Sequence, residues 1–245
     1  VALAVAAIPE GLPAIVTISL ALGVRRMARR NSLIRKLPAV ETLGSTDVIC
    51  SDKTGTLTKN EMTVKKLYVD SELIYVTGEG YEPKGDFKNS EEKGVDVKRF
   101  NMLLKIGALC NDARLVHEKK RWSIFGDPTE GALIVSAQKA GIKKTVIETS
   151  MKRKDEIPFD SKRKSMSTIH KTTKGHVAYV KGAPDMILRN CSSILISGKV
   201  RRLTSSDRKK ILKANQDMAN EALRVLGFAY KDFRGKSYST DPKKT

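Results

Sequence analysis

Asp52 is the residue with the most chemistry in its surroundings. It follows a short apolar run, Val48-Ile49-Cys50, and opens a tight polar turn, Asp52-Lys53-Thr54-Gly55-Thr56-Leu57-Thr58. The run reads as a buried strand, and a carboxylate at the carboxyl end of a strand lies where open α/β sheets bind ligands. Such a carboxylate can act as a nucleophile and carry an aspartyl phosphate. Lys53 puts positive charge beside it, and Gly55 lets the backbone turn back close to a bound phosphate. Thr54 stands two positions after Asp52. A carboxylic acid there would protonate a leaving group or activate water, so a threonine should slow hydrolysis of an acyl phosphate. Taken alone, Asp52 reads as a strand-end cap on a loop.

Four further stretches carry chemically apt residues. In Pro9-Glu10-Gly11-Leu12-Pro13 two prolines and a glycine interrupt the apolar run 1–24. They free backbone carbonyls beside a carboxylate, which suits a cation site in a membrane and equally a kinked core helix with Glu10 at its surface. Asp127-Pro128-Thr129-Glu130 reads as a helix start. Asp127 suits the N-cap, Pro128 the first helical position and Glu130 the closing position of a capping box; Gly141 ends that helix. Phe159 stands ahead of Lys162, Arg163 and Lys164. An aromatic beside three cations fits a purine face and its phosphates, with stacking worth about 1–3 kcal/mol; it also fits a basic hairpin turn with Phe159 in the core. In Lys181-Gly182-Ala183-Pro184, after a strand pattern at 176–180, Gly182 permits close ligand approach beside a lysine, and the plain alternative is a turn with an exposed lysine.

The string DKTGTLT at 52–58 resembles the phosphorylation signature of P-type ATPases, the cation pumps related to haloacid dehalogenases. The resemblance implies that Asp52 is the phosphorylated nucleophile, with Lys53 beside it and Thr54 and Thr56 positioning the phosphoryl group. Asp52 and Thr54 would also belong to a Mg²⁺ site whose remaining carboxylates, in a later Gly-Asp-Gly…Asn-Asp string, are not among these residues. PEGLP resembles the cation-binding break in the fourth transmembrane helix of such pumps. By that likeness Glu10 is a cation ligand and the carbonyls of Val5, Ala6 and Ile8 are co-ligands. The first 58 residues are most similar to the sarcoplasmic-reticulum type of calcium pump, which points to calcium; sodium–potassium and proton–potassium pumps share a similar break. GDPTEGAL, the string around Phe159, and KGAP resemble the family's nucleotide-domain motifs. They imply Glu130 near the adenine, Phe159 stacked on it, Lys164 approaching the nucleotide, and Lys181 with Gly182 deep in the pocket. Arg224 resembles the arginine that reaches the ATP phosphates; its other reading is a solvated strand-end charge. One departure stands out. Relatives of the calcium-pump type commonly carry an arginine where Ser161 stands here, with Lys162 and Arg163 the available substitutes.

These residues need elements to position them. Residues 1–24 are about the length of a membrane span, and the Arg25, Arg26, Arg29, Arg30, Arg35 and Lys36 cluster that follows marks a cytoplasmic end. A signal peptide would carry its charges before the apolar run. The expectation is a multi-pass membrane protein that meets the lipid bilayer through this span, with residues 31–245 cytoplasmic. Pro38 opens a short helix at 37–43 that would couple the ion site to Asp52. A strand is expected at 63–69, a surface loop at 78–94, and a core helix from the spacing of Phe100, Leu103, Leu104, Gly107, Ala108 and Asn111. A short strand follows at 122–126, a helix opens at 204–207 with a capping-box pattern, and a last strand covers 223–230. The fold class expected is α/β. A transmembrane segment (1–30) leads into the first part of a Rossmann-like, haloacid dehalogenase-type phosphorylation domain (31–66). An α+β nucleotide-binding domain (67–245) follows, its antiparallel sheet implied by the resemblance.

Composition narrows the partners. The chain has 46 Lys+Arg against 27 Asp+Glu, a net charge of +19, which suggests an anionic partner. Aromatics make up only 5%, with no basic stripe interleaved with rings, so a single-strand nucleic-acid surface is poorly supported. Cys50, Cys110 and Cys191 are odd in number and far apart, which suggests reduced thiols. His117, His170 and His176 lack metal-ligand spacing, and no P-loop string occurs. The reading is therefore an internal segment of an ATP-driven cation pump, for calcium. Its cofactors are ATP and Mg²⁺, it has no nucleic-acid partner, and it binds ATP without turning it over on its own. The alternatives are a soluble phosphatase of the haloacid dehalogenase type, opposed by Thr54 and the apolar start, and a basic nucleic-acid-binding module, suggested by charge alone.

Overall fold

The computed structural model describes residues 11–234 and 238–240, and the chain divides after Lys59 into two compact units. Among the described residues the first holds two helices, α1 (Leu12–Arg29) and α2 (Pro38–Gly44), each with a proline in its first turn, where the missing N–H costs nothing. Gly23 of α1 faces Val40 of α2, and a Cβ on it would lie 3.1 Å from a Val40 methyl.

Three expectations about this unit are corrected. No described helix is long and apolar enough to cross a membrane. The apolar part of α1, residues 12–24, rises only about 20 Å, short of the ~30 Å hydrocarbon layer, and Arg25, Arg26 and Arg29 fill the rest of the helix. Residues 1–10 lie outside the described residues. The strand expected before Asp52 is not formed: Val48 and Ile49 are 74% and 84% exposed. No described strand runs alongside to take up its backbone N–H and C=O groups, and a lone extended segment can cover neither these nor its side chains. Finally, no Rossmann-like sheet surrounds Asp52, since every described strand pairing is antiparallel.

The second unit is a layered α/β structure. Strands β1 (Lys66–Val69), β2 (Glu72–Val76) and β3 (Phe87–Lys88) form a three-stranded sheet. The last of these, with a bridge from Lys88 to Gly94, gives order to the expected loop. A single 3-10 turn, Val97–Phe100, leads into α3 (Asn101–Leu109). The hairpin β4 (Arg114–Glu118) and β5 (Arg121–Phe125) follows. Lys119 and Lys120 both take positive φ at its tip, the two-residue turn that matches strand twist. Helices α4 (Pro128–Lys139) and α5 (Lys144–Ser150) come next. Then β6 (Arg153–Asp160), β7 (Ser165–Thr172) and β8 (Gly175–Gly182) run as a meander. Helix α6 (Pro184–Asn190), the hairpin β9 (Ser193–Ile196) and β10 (Lys199–Arg202), helix α7 (Ser205–Asn220) and β11 (Gly227–Arg234) complete it.

The central sheet has the order β11–β8–β7–β6. Its β6 edge carries Pro158 and a register shift between Ile157 and Asp160; an edge is where a strand tolerates a residue that cannot donate. Helix α3 is the seam between two apolar clusters. Leu104 and Ala108 pack with Leu67, Ile74, Val76 and Phe87, while Ile106, Leu109 and Cys110 pack with Met151, Met166, Val177 and Tyr179. A helix apolar on both sides is the kind a core encloses. The expected strand at 223–230 begins only at Gly227, opposite Gly182. Its partner β8 stops there because Ala183-Pro184 starts α6, so residues 223–226 have nothing to pair with. All three cysteines are free thiols.

Candidate functional site

The densest polar construction in the second unit centres on Glu130, third residue of α4. The helix start is local chemistry: the Asp127 carboxylate accepts from the Thr129 N–H at 2.7 Å and the Glu130 N–H at 3.4 Å. Partial burial works to raise the Asp127 carboxyl, but these donors and nearby Arg224 outweigh it and hold the group below the usual carboxylate range. The expected capping box does not close, because the Glu130 carboxylate turns elsewhere. One oxygen accepts from the Asp112 N–H at 2.9 Å and the Ala113 N–H at 3.1 Å. The other pairs with the Lys181 ammonium. Two backbone donors and a cation satisfy this carboxylate better than the single N–H of a box.

The loop at 111–113 that receives Glu130 is itself fixed. The Asn111 amide donates to the Gly107 and Glu130 carbonyls, both at 2.9 Å, and its oxygen accepts from Ala113 N–H at 2.9 Å. The Lys144 ammonium donates to the carbonyls of Asn111 at 2.6 Å and Ala113 at 3.0 Å. Arg153 bonds the Asp112 carboxylate at 2.6 Å. Gly131 is required by packing, since a Cβ there would lie 2.6 Å from Ile124. Helix α4 therefore sits directly against β5.

Lys181 lies on β8 between Met166 of β7 and Phe228 of β11. It is buried, with its side chain 10% exposed. The turn at 161–164 meets the end of β8: the Lys164 carbonyl accepts from Ala183 N–H at 2.9 Å. Gly182 packs so tightly that a Cβ would fall 2.3 Å from that same carbonyl. The turn is built by Asp160, whose carboxylate accepts from Lys162 N–H at 3.0 Å and Arg163 N–H at 2.8 Å, with Lys164 at φ 51°. Phe159 is not in the core; it is 63% exposed on edge strand β6. Its neighbour Asp160 pairs with Ser165, which pairs with Gly182. Arg163 is engaged inside the turn, donating to Pro158 O at 2.8 Å and Ser165 O at 2.9 Å. That removes it as a stand-in for the arginine missing at Ser161 and leaves exposed Lys162. Arg224, in the loop before β11, donates to the Thr129 hydroxyl at 3.0 Å, one residue from Glu130.

Glu130, Lys181 and the turn bearing Phe159 and Lys164 thus converge at one end of the central sheet, with Arg224 reaching the start of α4. A cavity of about 1390 Å³ is lined by Thr129, Arg163, Ser165 and Arg224 among others, and not by Glu130, Phe159, Lys164 or Lys181. Arg224 therefore faces a space that the other four do not. No motif or spacing marks Lys144 or Arg153 in the sequence; Asn111 stands out there as a polar residue at the helical spacing of an apolar face.

In the first unit Asp52 caps the turn Lys53–Leu57. Its carboxylate accepts from Thr54 N–H at 3.3 Å, Thr58 N–H closes on Lys53 O at 3.1 Å, and Gly55 takes φ 75°. Asp52, Lys53, Thr54 and Thr56 are all exposed. Glu10, Val5, Ala6 and Ile8 lie outside the described residues. Among the described residues no group of three or more His, Cys, Asp or Glu is placed to hold a metal ion.

Comparison with known proteins meets this geometry. The chain is 47% identical, over 98% of its length, to a cation-transporting ATPase of Synechocystis sp.. It is 46% identical over 98% of its length to calcium-transporting ATPase 1 of Bacillus cereus, and 44% identical over 96% to a calcium-transporting ATPase of Bacillus subtilis. It spans 27%, 25% and 27% of those three proteins, about a quarter of the length of the curated relatives it matches. A family profile described as P-type ATPase, cytoplasmic domain N, matches residues 99–245, the part of the chain that contains Glu130, Phe159, Lys181 and Arg224. The chain belongs to the P-type ATPase family.

Proposed function

We propose that this chain is the nucleotide-binding and phosphorylation-site segment of an ATP-driven cation pump, with calcium the transported ion. The observation that carries the proposal is the convergence of Glu130, Lys181 and the Phe159–Lys164 turn on one end of a single sheet. An exposed ring at an edge can stack on a purine without first being uncovered. A buried ammonium held by one carboxylate supplies a fixed positive charge close by, and exposed Lys164 offers a second cation to the phosphates. Arg224 is assigned to the phosphates as well, through the neighbouring cavity. Asp52 is the phosphoryl acceptor: a carboxylate oxygen bonds to the γ-phosphorus while the bond from that phosphorus to the bridging oxygen of ADP breaks. Exposure leaves the Asp52 carboxylate free to attack the γ-phosphorus in line, and Lys53, Thr54 and Thr56 would surround the transferred group.

Mg²⁺ would neutralise phosphate charge in such a transfer. The described residues offer it Asp52 and Thr54 without a further acidic cluster, so the donor set here is a partial one. Calcium as the ion is supported by the names of two relatives and by the likeness of residues 1–58 to the sarcoplasmic-reticulum type of calcium pump, with Glu10 and the Val5, Ala6 and Ile8 carbonyls as its ligands. In such a pump residues 31–245 would lie on the cytoplasmic side of the membrane.

The test uses the longer protein of which this chain is a segment. Incubated with γ-labelled ATP and calcium it should form an acid-stable phosphoenzyme, and Asp52→Asn should form none. Normal labelling of Asp52→Asn overturns the nucleophile. Labelling that requires sodium, potassium or manganese in place of calcium overturns the ion.

A further inference from the structure

We infer that Lys144 is a positioning residue for nucleotide binding: its ammonium fixes the loop at 111–113 in the shape that aims Glu130 at Lys181. The inference rests on the nucleotide reading of that pair. Its observation is separate, since Lys144 belongs to none of the motifs that suggested the reading.

The loop is bonded on both sides. On one side the carbonyls of Asn111 and Ala113 converge on the Lys144 ammonium, at 2.6 and 3.0 Å. On the other, the N–H groups of Asp112 and Ala113 converge on the Glu130 carboxylate, at 2.9 and 3.1 Å. The Asn111–Asp112 peptide has the cation at its carbonyl and the anion at its N–H, which polarise it in the same sense, so these two bonds strengthen each other. The loop needs such help because it follows the end of α3, where the last carbonyls have no partner in the helix. Lys144 is well placed to give it, with its side chain 11% exposed and Glu148 a looser neighbour at 3.7 Å. Without the ammonium two shielded carbonyls lose their donor, and the loop must turn them towards water. Turning the Asn111 carbonyl rotates the very peptide that carries the Asp112 N–H, and turning the Ala113 carbonyl loosens the residue whose N–H is the second donor to Glu130. The carboxylate is then free to swing, and Lys181 loses its fixed partner.

The chain and its variants are titrated with ATP by calorimetry, and amide hydrogen exchange is followed at Asp112 and Ala113. Lys144→Met should weaken ATP binding roughly tenfold and speed exchange at those two amides while the amides of β7 and β8 stay protected. Lys144→Arg, which can still donate to both carbonyls, should restore affinity and protection. If Lys144→Met does not fold, Lys144→Gln replaces it, keeping a neutral donor, and should lose about threefold. ATP binding by the unsubstituted chain that Lys144→Met or its Gln substitute matches overturns the inference and leaves the nucleotide reading standing. So does a loss of affinity with Asp112 and Ala113 still protected, or a failure of Lys144→Arg to rescue. Absence of ATP binding in the unsubstituted chain overturns the nucleotide reading, and the inference with it.

Discussion

Glu130 divides what a residue's neighbours in sequence can tell from what they cannot. Asp127 at the N-cap, Pro128 behind it and Gly141 past the helix end follow from rules that act over a few residues, and α4 obeys them. The direction of the Glu130 carboxylate does not follow, because its partners come from a loop 18 positions upstream and a strand 51 positions downstream. Where two backbone donors and a buried ammonium compete with a capping box, the stronger set wins. His170 makes a similar point. Its sequence neighbours suit a surface or a strand position, and the fold buries it on β7. Its ring bonds the Met151 carbonyl at 3.0 Å and the Thr168 hydroxyl at 2.9 Å. Burial holds its pKa below the ordinary 6.5, against a smaller upward pull from the Met151 carbonyl. The unfolded chain therefore takes up this proton first. The contribution of neutral His170 to stability is complete above about pH 6.5 and is lost as pH falls through the folded value. Thermal unfolding should shift down between about pH 7 and pH 5, less steeply in His170→Gln. Equal slopes in the two proteins would show that another group is responsible.

Elements were readable where the signal was periodic or punctuated. The capping box expected at 204–207 is present at the start of α7: Thr204 and Asp207 bond each other through both side chains and backbones. Asp207 is also held by Arg201 through two bonds, at 2.7 and 2.8 Å. Thr204→Ala should therefore cost about 1 kcal/mol in chemical denaturation; an unchanged midpoint would mean that the Arg201 pair alone fixes the helix start. Strand limits were less readable, because a strand extends only as far as its partner. Residues 223–226 are as apolar as the strand that follows, yet pairing starts at Gly227, where β8 ends. The Phe159 turn shows the same dependence. Pro158 and Ser161 both suggest a turn; the edge position of β6 accommodates Pro158, and the corner falls at 161–164, where Asp160 supplies the acceptor.

At the scale of the whole molecule, the sequence carried the family and the antiparallel α/β character of the second unit, and it misjudged the first. An apolar run such as Val48-Ile49-Cys50 is strand-like only when neighbouring strands cover it, and composition alone does not report the neighbours. The described part of the apolar run, in α1, is likewise not long and apolar enough to cross a membrane. The net charge of +19 becomes more specific once the fold is known, with Lys164 and Lys181 at the same end of the central sheet as exposed Phe159. The account's central claim is that this end of the sheet binds a nucleotide by stacking its base on Phe159. The most direct test is a calorimetric titration with ATP of the chain and of Phe159→Ala, with and without Mg²⁺. Removing the ring should weaken binding by roughly tenfold to a hundredfold, about 1–3 kcal/mol, in both conditions, with ADP and AMP keeping much of the affinity of ATP. Equal affinities for ATP in two folded proteins would contradict it.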